Sequence, residues 1–174
     1  MVKITVVANI VGEGRRKLQM ETFPRQHART RRFTVGAPRS FAIASKNSLI
    51  SFLQSSSGSD PMNKLWTLNP HSQNLQMLAD PENLVKSGGN HVLSKEEQSR
   101  RERVREVGSG IVSYSSSNES PNIAFTSGGS LFTANLETNV VSNLETTCNA
   151  FDPQVSPSGD LVAYVGDGNL RYID

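Results

Sequence analysis

The sequence predicts an all-β fold in which a short antiparallel meander is repeated. Each copy has an apolar run containing an aromatic residue, a turn of glycine and polar residues, and a second run that begins with leucine. The aromatic residues are Phe52, Phe125 and Tyr164, and the leucines are Leu65, Leu131 and Leu170. Phe125 and Tyr164 lie 39 residues apart, and a repeat of roughly 40 residues with about four short strands is typical of a β-propeller blade. The sequence therefore predicts a partial β-propeller.

The composition indicates a thin core and no dominant charge. Of the 174 residues, 36% are hydrophobic and 6% are aromatic, which is low for a domain that buries roughly 70% of its unfolded surface. The formal net charge of +2 is too small to favour binding of the whole chain to nucleic acid or to a membrane surface. We therefore expect neither as a partner.

Cysteine content and hydropathy bear on the cellular compartment. Cys148 is the single cysteine, so the chain cannot form an internal disulfide, and we expect a buried or half-buried thiol in a reducing compartment. The longest apolar stretch, residues 4–11, is eight residues long, against roughly 18 for a transmembrane helix. No small-residue cleavage site of a signal peptide follows it. These features predict a cytoplasmic protein.

Residues 1–39 form a separate N-terminal region in this interpretation. Residues 2–7 are β-like but fit no position in the repeat. Residues 21–39 concentrate positive charge in Arg25, Arg29, Arg31, Arg32 and Arg39. Such a cluster can bind phosphate, but no nucleic-acid motif accompanies it, so we favour a solvated arm that makes ion pairs to its own protein.

The partial propeller is expected over residues 40–174, with its first blade over residues 40–78. Strands of this blade are predicted at residues 40–44, 49–53, 64–68 and 75–78. Trp66, the only tryptophan, lies on the third of these strands. Aromatic residues at strand period are usually core residues, so we interpret Trp66 as packing between blades and not as stacking on a ligand.

Residues 79–108 interrupt the repeat and are predicted to carry one inserted surface helix. Ser94 and Glu97 form a capping box, in which the serine hydroxyl accepts from the Glu97 amide and the Glu97 carboxylate reaches back. Glutamate–arginine pairs four residues apart support a helix over residues 94–107, and Gly108 ends it. Because only two of its residues are apolar, this helix should lie on the surface.

Two further blades are predicted after the insertion. The second covers residues 110–144, and its strands are expected at residues 110–114, 122–125, 131–135 and 140–144. The third covers residues 152–174, with strands at residues 152–155, 161–165 and 170–173. Since the third blade lacks its fourth strand, the chain amounts to about two and a half four-stranded blades.

No catalytic residue is predicted. A serine nucleophile on a strand-to-helix elbow requires the pattern G-x-S-x-G, which does not occur in the chain. Ser130 follows two glycines but opens an alternating run. His27, His71 and His91 lie in polar, loop-like surroundings without a paired nucleophile, so each is interpreted as an exposed or structural histidine.

No metal or cofactor site is predicted either. One cysteine and three scattered histidines give no zinc spacing. Asp160, Asp167 and Asp174 lie in turns without the dense acidic pattern of a calcium loop. Gly12 and Gly14 lack the third glycine and the helix of a dinucleotide-binding loop.

An ordered set of segments resembles the N-terminal propeller region of bacterial dipeptidyl peptidase IV-like serine peptidases, within the prolyl oligopeptidase family. The similarity extends from about Thr22 to Asp174. The segments that carry it are residues 23–41, 60–61, 65–66, 78–81, 94–106, 110–114, 151–153 and 156–157.

The resemblance implies a chemistry that this chain would not carry alone. In the family, a serine activated by histidine and aspartate lies on an α/β-hydrolase domain that follows the propeller, and the complete enzyme releases N-terminal dipeptides. The family also binds the substrate amine with paired glutamates from a propeller insertion. Glu96 and Glu97 stand in different surroundings and are explained by helix capping and ion pairing, so that role is not carried over to them.

Two hypotheses for function follow. In the first, the chain is the propeller portion of such a peptidase, truncated or split from its hydrolase domain, inactive alone and partnered by a polypeptide with the remaining blades. In the second, it is a self-standing binding module without a catalytic role. In the first hypothesis, open blade faces predict self-association, whereas a stable monomer would favour the second.

Overall fold

The structure is a computed structural model that describes residues 22–44, 48–86, 99 and 109–174. The helices among these residues are α1 (Phe23–Arg29) and α2 (Pro81–Lys86). The strands are β1 (Arg39–Ile43), β2 (Ile50–Ser55), β3 (Met62–Asn69), β4 (Asn74–Ala79), β5 (Ser109–Gly110), β6 (Tyr114–Ser116), β7 (Asn122–Ser127), β8 (Ser130–Asn135), β9 (Val141–Leu144), β10 (Phe151–Val155), β11 (Val162–Gly166) and β12 (Asn169–Ile173). The prediction of a mostly β chain is confirmed.

The strands form three sheets, each of which follows the order of the chain. The first sheet has the order β1-β2-β3-β4, the second β6-β7-β8-β9, and the third β10-β11-β12. Neighbouring strands along these paths are antiparallel, while β5 joins the first sheet through a short parallel pairing with β3. Each sheet is therefore an open meander built from local connections.

All three sheets share one strand register. Phe52, Phe125 and Tyr164 lie on β2, β7 and β11, and in each case the next residue pairs with the leucine identified in the sequence. The pairs are Leu53 with Leu65, Thr126 with Leu131, and Val165 with Leu170. These pairings confirm the threefold alignment on which the repeat was based.

Strand geometry places the aromatic residues and the leucines on opposite faces. Successive side chains alternate between faces, while directly paired residues share one. We call the face that carries Leu65, Leu131 or Leu170 the forward face of its sheet. The opposite face, which carries Phe52, Phe125 or Tyr164, is the backward face.

One core cluster joins the first sheet to the second. It combines the forward face of the first sheet with the backward face of the second, where the Phe125 and Phe132 rings stack with centroids 5.5 Å apart. Its fully buried members from the two sheets include Leu53, Leu65, Ile123 and Phe125. Burial of such side chains stabilises the folded state by about 1.5–3 kcal/mol each.

A second, smaller cluster joins the second sheet to the third. Ala124 and Leu131, on the forward face of the second sheet, pack with Val162 and Tyr164 on the backward face of the third. The second sheet is therefore covered on both faces. The same packing relationship, forward face against backward face, occurs twice in succession.

Polar contacts between turns reinforce the packing of the second sheet on the third. The Ser117 hydroxyl donates to the carbonyl oxygen of Pro157 at 2.5 Å, and the Asn122 side-chain amide donates to the carbonyl oxygen of Gly159 at 3.2 Å. The Val155 amide donates to the Ser115 hydroxyl at 3.0 Å. These bonds satisfy turn groups that the packing would otherwise leave unpaired.

The structure corrects the predicted first strand of the second repeat. Residues 110–114 do not form one strand, because β5 ends at Gly110 against β3 and β6 begins only at Tyr114. The Ile111 amide donates to the Asn63 carbonyl oxygen, and Ile111 is fully buried. This segment therefore completes the first sheet and its core before the chain enters the second.

The helices also differ from the prediction of a single inserted helix. α1 lies within the basic region, and α2 begins directly after Asp80, whose side chain accepts from the Glu82 amide. The predicted helix over residues 94–107 falls outside the described residues except for Ser99, which is helical and exposed. The predicted strand near residues 2–7 lies outside them as well. None of the described helices is long and apolar enough to cross a membrane.

Candidate functional site

The residues considered for catalysis are not brought together. The His27 ring lies on α1 between the rings of Phe23 and Phe33, with centroids 5.6 and 5.8 Å away. His71 is exposed in the β3–β4 turn, where its backbone amide donates to Asn69. Ser130 begins β8 and pairs with Ser127 across the hairpin. Within the described ranges, no nucleophile is therefore held by a base, while His91, Glu96 and Glu97 lie outside those ranges.

Cys148 has a packing role in the connection between β9 and β10. Its side chain is half-buried and packs against the cluster that joins the second and third sheets. Gly166 lies so close that an added Cβ would collide with the Cys148 sulfur. The expectation of a half-buried thiol is confirmed.

The acidic residues in turns do not form a metal site. Asp160, Asp167 and Asp174 are exposed and lie in separate turns or ends of the third sheet. Among the residues that the structure describes, no group of three or more metal-ligating side chains comes together. Asp167 instead forms an ion pair with Arg171 at 3.5 Å.

Tyr114 forms a polar anchor between the first and second sheets. Its hydroxyl lies 2.6 Å from the carbonyl oxygen of Ser40 and 2.8 Å from that of Ser51, and it accepts from the Ser51 hydroxyl at 3.0 Å. Burial raises the pKa of Tyr114 above its usual value, although the hydrogen bonds act in the opposite direction. The neutral phenol is thus the form that fits this position.

Lys64 and Asp80 form a close ion pair on the first sheet. The Lys64 Nζ lies 2.6 Å from Asp80 Oδ2, and both side chains are largely shielded from solvent. The hydrogen bond to Asp80 is the main cause of a raised pKa at Lys64, and burial opposes it. Since Asp80 also caps α2 through its other oxygen, the pair links β3 to the start of that helix.

Two grooves lie between the sheets. The groove between the first and second sheets has a volume of about 330 Å³ and is lined by Thr67 and Asn69 on β3. The groove between the second and third sheets has a volume of about 450 Å³ and is lined by Thr133 and Asn135 on β8. These threonines and asparagines occupy matching places in the repeat, since Thr67 pairs with Ser51 and Thr133 with Ala124.

The asparagines at these grooves are engaged in turns. The Asn69 side-chain oxygen accepts from the amides of His71 and Ser72. The Asn135 side-chain oxygen accepts from the amides of Glu137 and Thr138 in the same way. Both residues therefore act as turn caps. The two grooves are thus explained by the repeated packing of the sheets.

The forward face of the third sheet is largely exposed in the part of the chain that the structure describes. Leu170 is 80% exposed and Tyr172 is 77% exposed, whereas the equivalent leucines Leu65 and Leu131 are fully buried. Ala163 and Val165 pair with Tyr172 and Leu170 and are half-buried on the same face. An apolar sheet face with this exposure is typical of an interaction surface.

The backward face of the first sheet is also apolar and largely open. Phe41 is 62% exposed and lies with its ring centroid 5.6 Å from that of Phe52. Other exposed members of this face are Ile43, Leu75 and Met77. Trp66 is half-buried on this face, where its indole nitrogen donates to the Gln54 carbonyl oxygen. Trp66 therefore lies on an end face of the described sheets and not between two of them.

Comparison with solved structures finds a similar fold in parts of two larger proteins. The chain is similar to a prolyl endopeptidase, with a TM-score of 0.50 and 14% sequence identity over 81% of this chain and 19% of that one. It is also similar to the acylaminoacyl peptidase of Pyrococcus horikoshii, with a TM-score of 0.47 and 13% identity over 81% of this chain and 18% of that one. A second crystal form of that peptidase gives a TM-score of 0.45.

These similarities concern the fold. At 14% identity, the likeness to the prolyl endopeptidase shows a shared arrangement of strands, and this chain spans about a fifth of the length of that structure. No protein-family model matches the sequence. The defining features of the described residues are therefore structural: a repeated sheet, a repeated packing relationship and two open apolar faces.

Proposed function

We infer that this chain is a β-propeller portion of a serine peptidase similar to the dipeptidyl peptidase IV group. One observation carries the proposal: three consecutive meander sheets share one register and pack forward face against backward face. This is the relationship between successive blades of a propeller. The likeness to a prolyl endopeptidase supports the choice of a peptidase.

In this proposal the chain forms part of the propeller and does not supply the catalytic residues. Peptide hydrolysis needs a nucleophile, its base and an oxyanion hole within hydrogen-bonding reach. The sequence has no G-x-S-x-G elbow. Of the described histidines, His27 packs between two phenylalanine rings, and His71 lies in a turn. The nucleophile would belong to an α/β-hydrolase domain that the propeller screens from large folded substrates. The complete enzyme would release N-terminal dipeptides.

The experiment is a peptidase assay in two arms. The purified chain is tested with a chromogenic glycyl-proline substrate alone and after co-expression with the polypeptide encoded next to it, provided that this contains further meander repeats and a G-x-S-x-G segment. We expect no product from the chain alone and inhibitor-sensitive product from the pair. Serine-dependent activity of the chain alone would contradict the proposal that the nucleophile lies on a separate hydrolase domain. A neighbouring sequence with neither feature would overturn the split-peptidase form.

A self-standing binding module is the second candidate, and the open end faces favour it. Leu170 and Tyr172 at one end, and Phe41 and Ile43 at the other, expose apolar surface that a binding partner could cover. Formation of a stable complex between the chain and a polypeptide without hydrolase sequence would support this candidate over the first.

A further inference from the structure

We propose that Thr34 is a phosphorylation site for a serine/threonine kinase that recognises arginine. Three observations carry the proposal: the residues that precede Thr34, the exposure of its side chain and the unfavourable backbone of the turn that holds it. The inference goes beyond the proposed peptidase role and does not depend on it.

Two arginines stand just before the acceptor position. Arg31 and Arg32 precede Thr34 by three and two residues. The sequence has three pairs of adjacent arginines, and the other two pairs are followed at the corresponding position by Leu18 and Arg103. Thr34 is therefore the one hydroxyl residue of the sequence with this arrangement. Kinases select substrates by such charge patterns, because carboxylates of the substrate cleft form charge-assisted, bidentate hydrogen bonds with guanidinium groups.

The structure presents Thr34 at the surface, in contrast to the neighbouring Thr30. Thr34 is exposed, and its hydroxyl donates to the Arg31 carbonyl oxygen at 2.6 Å. Thr30 is 8% exposed, and its hydroxyl donates to the Gln26 carbonyl oxygen and accepts from the Phe33 amide. Of these two hydroxyls, that of Thr34 is therefore the one that a phosphate donor can reach.

The turn that carries Thr34 has an unfavourable backbone. Arg31, Arg32 and Phe33 have φ angles of 48°, 62° and 61°, in the left-handed region that is disfavoured for residues with a Cβ. None of residues 31–38 is buried, and α1 contains no buried residue either. A segment with strained dihedral angles and few buried side chains opens at a low cost in free energy. This turn can therefore open and enter the substrate cleft of a kinase.

The reaction is a phosphoryl transfer from a nucleoside triphosphate. The Thr34 oxygen attacks the terminal phosphorus, the bond from that phosphorus to the bridging oxygen breaks, and the nucleoside diphosphate leaves. The hydroxyl proton passes to the kinase carboxylate that acts as the base. The product carries about −1.5 to −2 charges at pH 7, two residues after Arg32. Because the esterified oxygen has no proton to donate, phosphorylation also removes the hydrogen bond to the Arg31 carbonyl oxygen.

The test incubates the full chain with a purified arginine-directed serine/threonine kinase, ATP and Mg²⁺. Mass spectrometry of the phosphopeptides locates each phosphate and gives the initial rate. We expect phosphate on Thr34 and none on Thr30. Thr34→Ser should keep the modification, and Thr34→Val should abolish most of the incorporation. A synthetic peptide of residues 27–38 is the positive control for the kinase, and circular dichroism verifies that each variant keeps its strand content.

Arginine variants test the recognition step. Arg32→Ala should slow the transfer to Thr34 at least about tenfold, because a charged hydrogen-bonding group is removed from the kinase complex. Arg25→Ala is the matched control and should keep the rate, since Arg25 is exposed on α1 and lies nine residues before Thr34. Absence of phosphate from Thr34 of the folded chain would overturn the proposal, whether or not the peptide is modified. An unchanged rate in Arg32→Ala would overturn it too.

Discussion

The Tyr114 hydroxyl, on β6 of the second sheet, donates a hydrogen bond to the carbonyl oxygen of Ser40 on β1 of the first sheet, at 2.6 Å. These are the first strands of their two sheets. Because the contact links residues 74 positions apart, it holds the two sheets in a fixed relation that local pairing cannot provide. The same hydroxyl accepts from Ser51 on β2.

Replacing Tyr114 with phenylalanine should destabilise the fold while leaving the ring in place. The carbonyl oxygens of Ser40 and Ser51 and the Ser51 hydroxyl would lose their shared partner, and such a loss costs about 1–3 kcal/mol. Urea unfolding measures the change, with Tyr172→Phe as control because Tyr172 is 77% exposed. Equal stability of Tyr114→Phe and the unmodified chain would show that the anchor contributes nothing.

Alkaline pH should weaken the unmodified chain more than Tyr114→Phe. Burial raises the pKa of Tyr114 above its usual value of about 10, so the folded state keeps the phenol proton to higher pH than the unfolded state. The corresponding stability is fully present below pH 10 and is lost as the pH rises through the folded-state pKa. Unfolding at pH 8 and at pH values above 10 measures this difference. A difference in the free energy of unfolding between the two proteins that stays the same at high pH would contradict this prediction.

Asp80→Asn should lower the pKa of Lys64. The hydrogen bond from Lys64 to Asp80 is the main cause of the raised pKa, and burial acts against it. Without the carboxylate charge, the opposing effect of burial remains. NMR titration of the Lys64 side chain measures the change, and Asp167→Asn is the control because Asp167 pairs with Arg171 at another sheet. A Lys64 pKa that is unchanged in Asp80→Asn would refute the assignment of the cause.

Gly166→Ala should destabilise the third sheet, and Cys148→Ala should relieve part of that effect. The added methyl group would collide with the Cys148 sulfur, and such overpacking costs about 1–3 kcal/mol. In the double variant the sulfur is absent, so the two effects should deviate from additivity by at least about 0.5 kcal/mol. Strict additivity in a double-mutant cycle would show that the two residues are not in contact.

The repeat could be predicted from the sequence because it depends on local rules. Alternating apolar residues, the glycine turns and the positions of Phe52, Phe125 and Tyr164 determine which residues pair within a meander. The same pattern predicted the three strands of the third sheet. The open faces follow from that repeat, since each face needs a neighbour.

The two helices and the long-range contacts were not predicted. The helices have local sequence signals that were missed, whereas the long-range contacts have none. α2 had a readable start, with Asp80 as the capping residue and Pro81 in the first turn. α1 was not predicted because its arginine-rich region was interpreted as a solvated arm, although Pro24 lies in its first turn. The pairing of Gly110 with Asn63 and the bond from Tyr114 to Ser40 join distant parts of the chain, and neither has a local pattern that would predict it.

The most direct test of the repeated sheets compares the three equivalent leucines. Each is replaced with alanine, and the free energy of unfolding is measured at a concentration where the chain is monomeric. Because Leu65 and Leu131 are fully buried and Leu170 is 80% exposed, we predict a loss of about 2–5 kcal/mol for Leu65→Ala and Leu131→Ala and less than about 0.5 kcal/mol for Leu170→Ala. Equal losses at all three positions would contradict the account, since the third forward face would then be covered within a single chain.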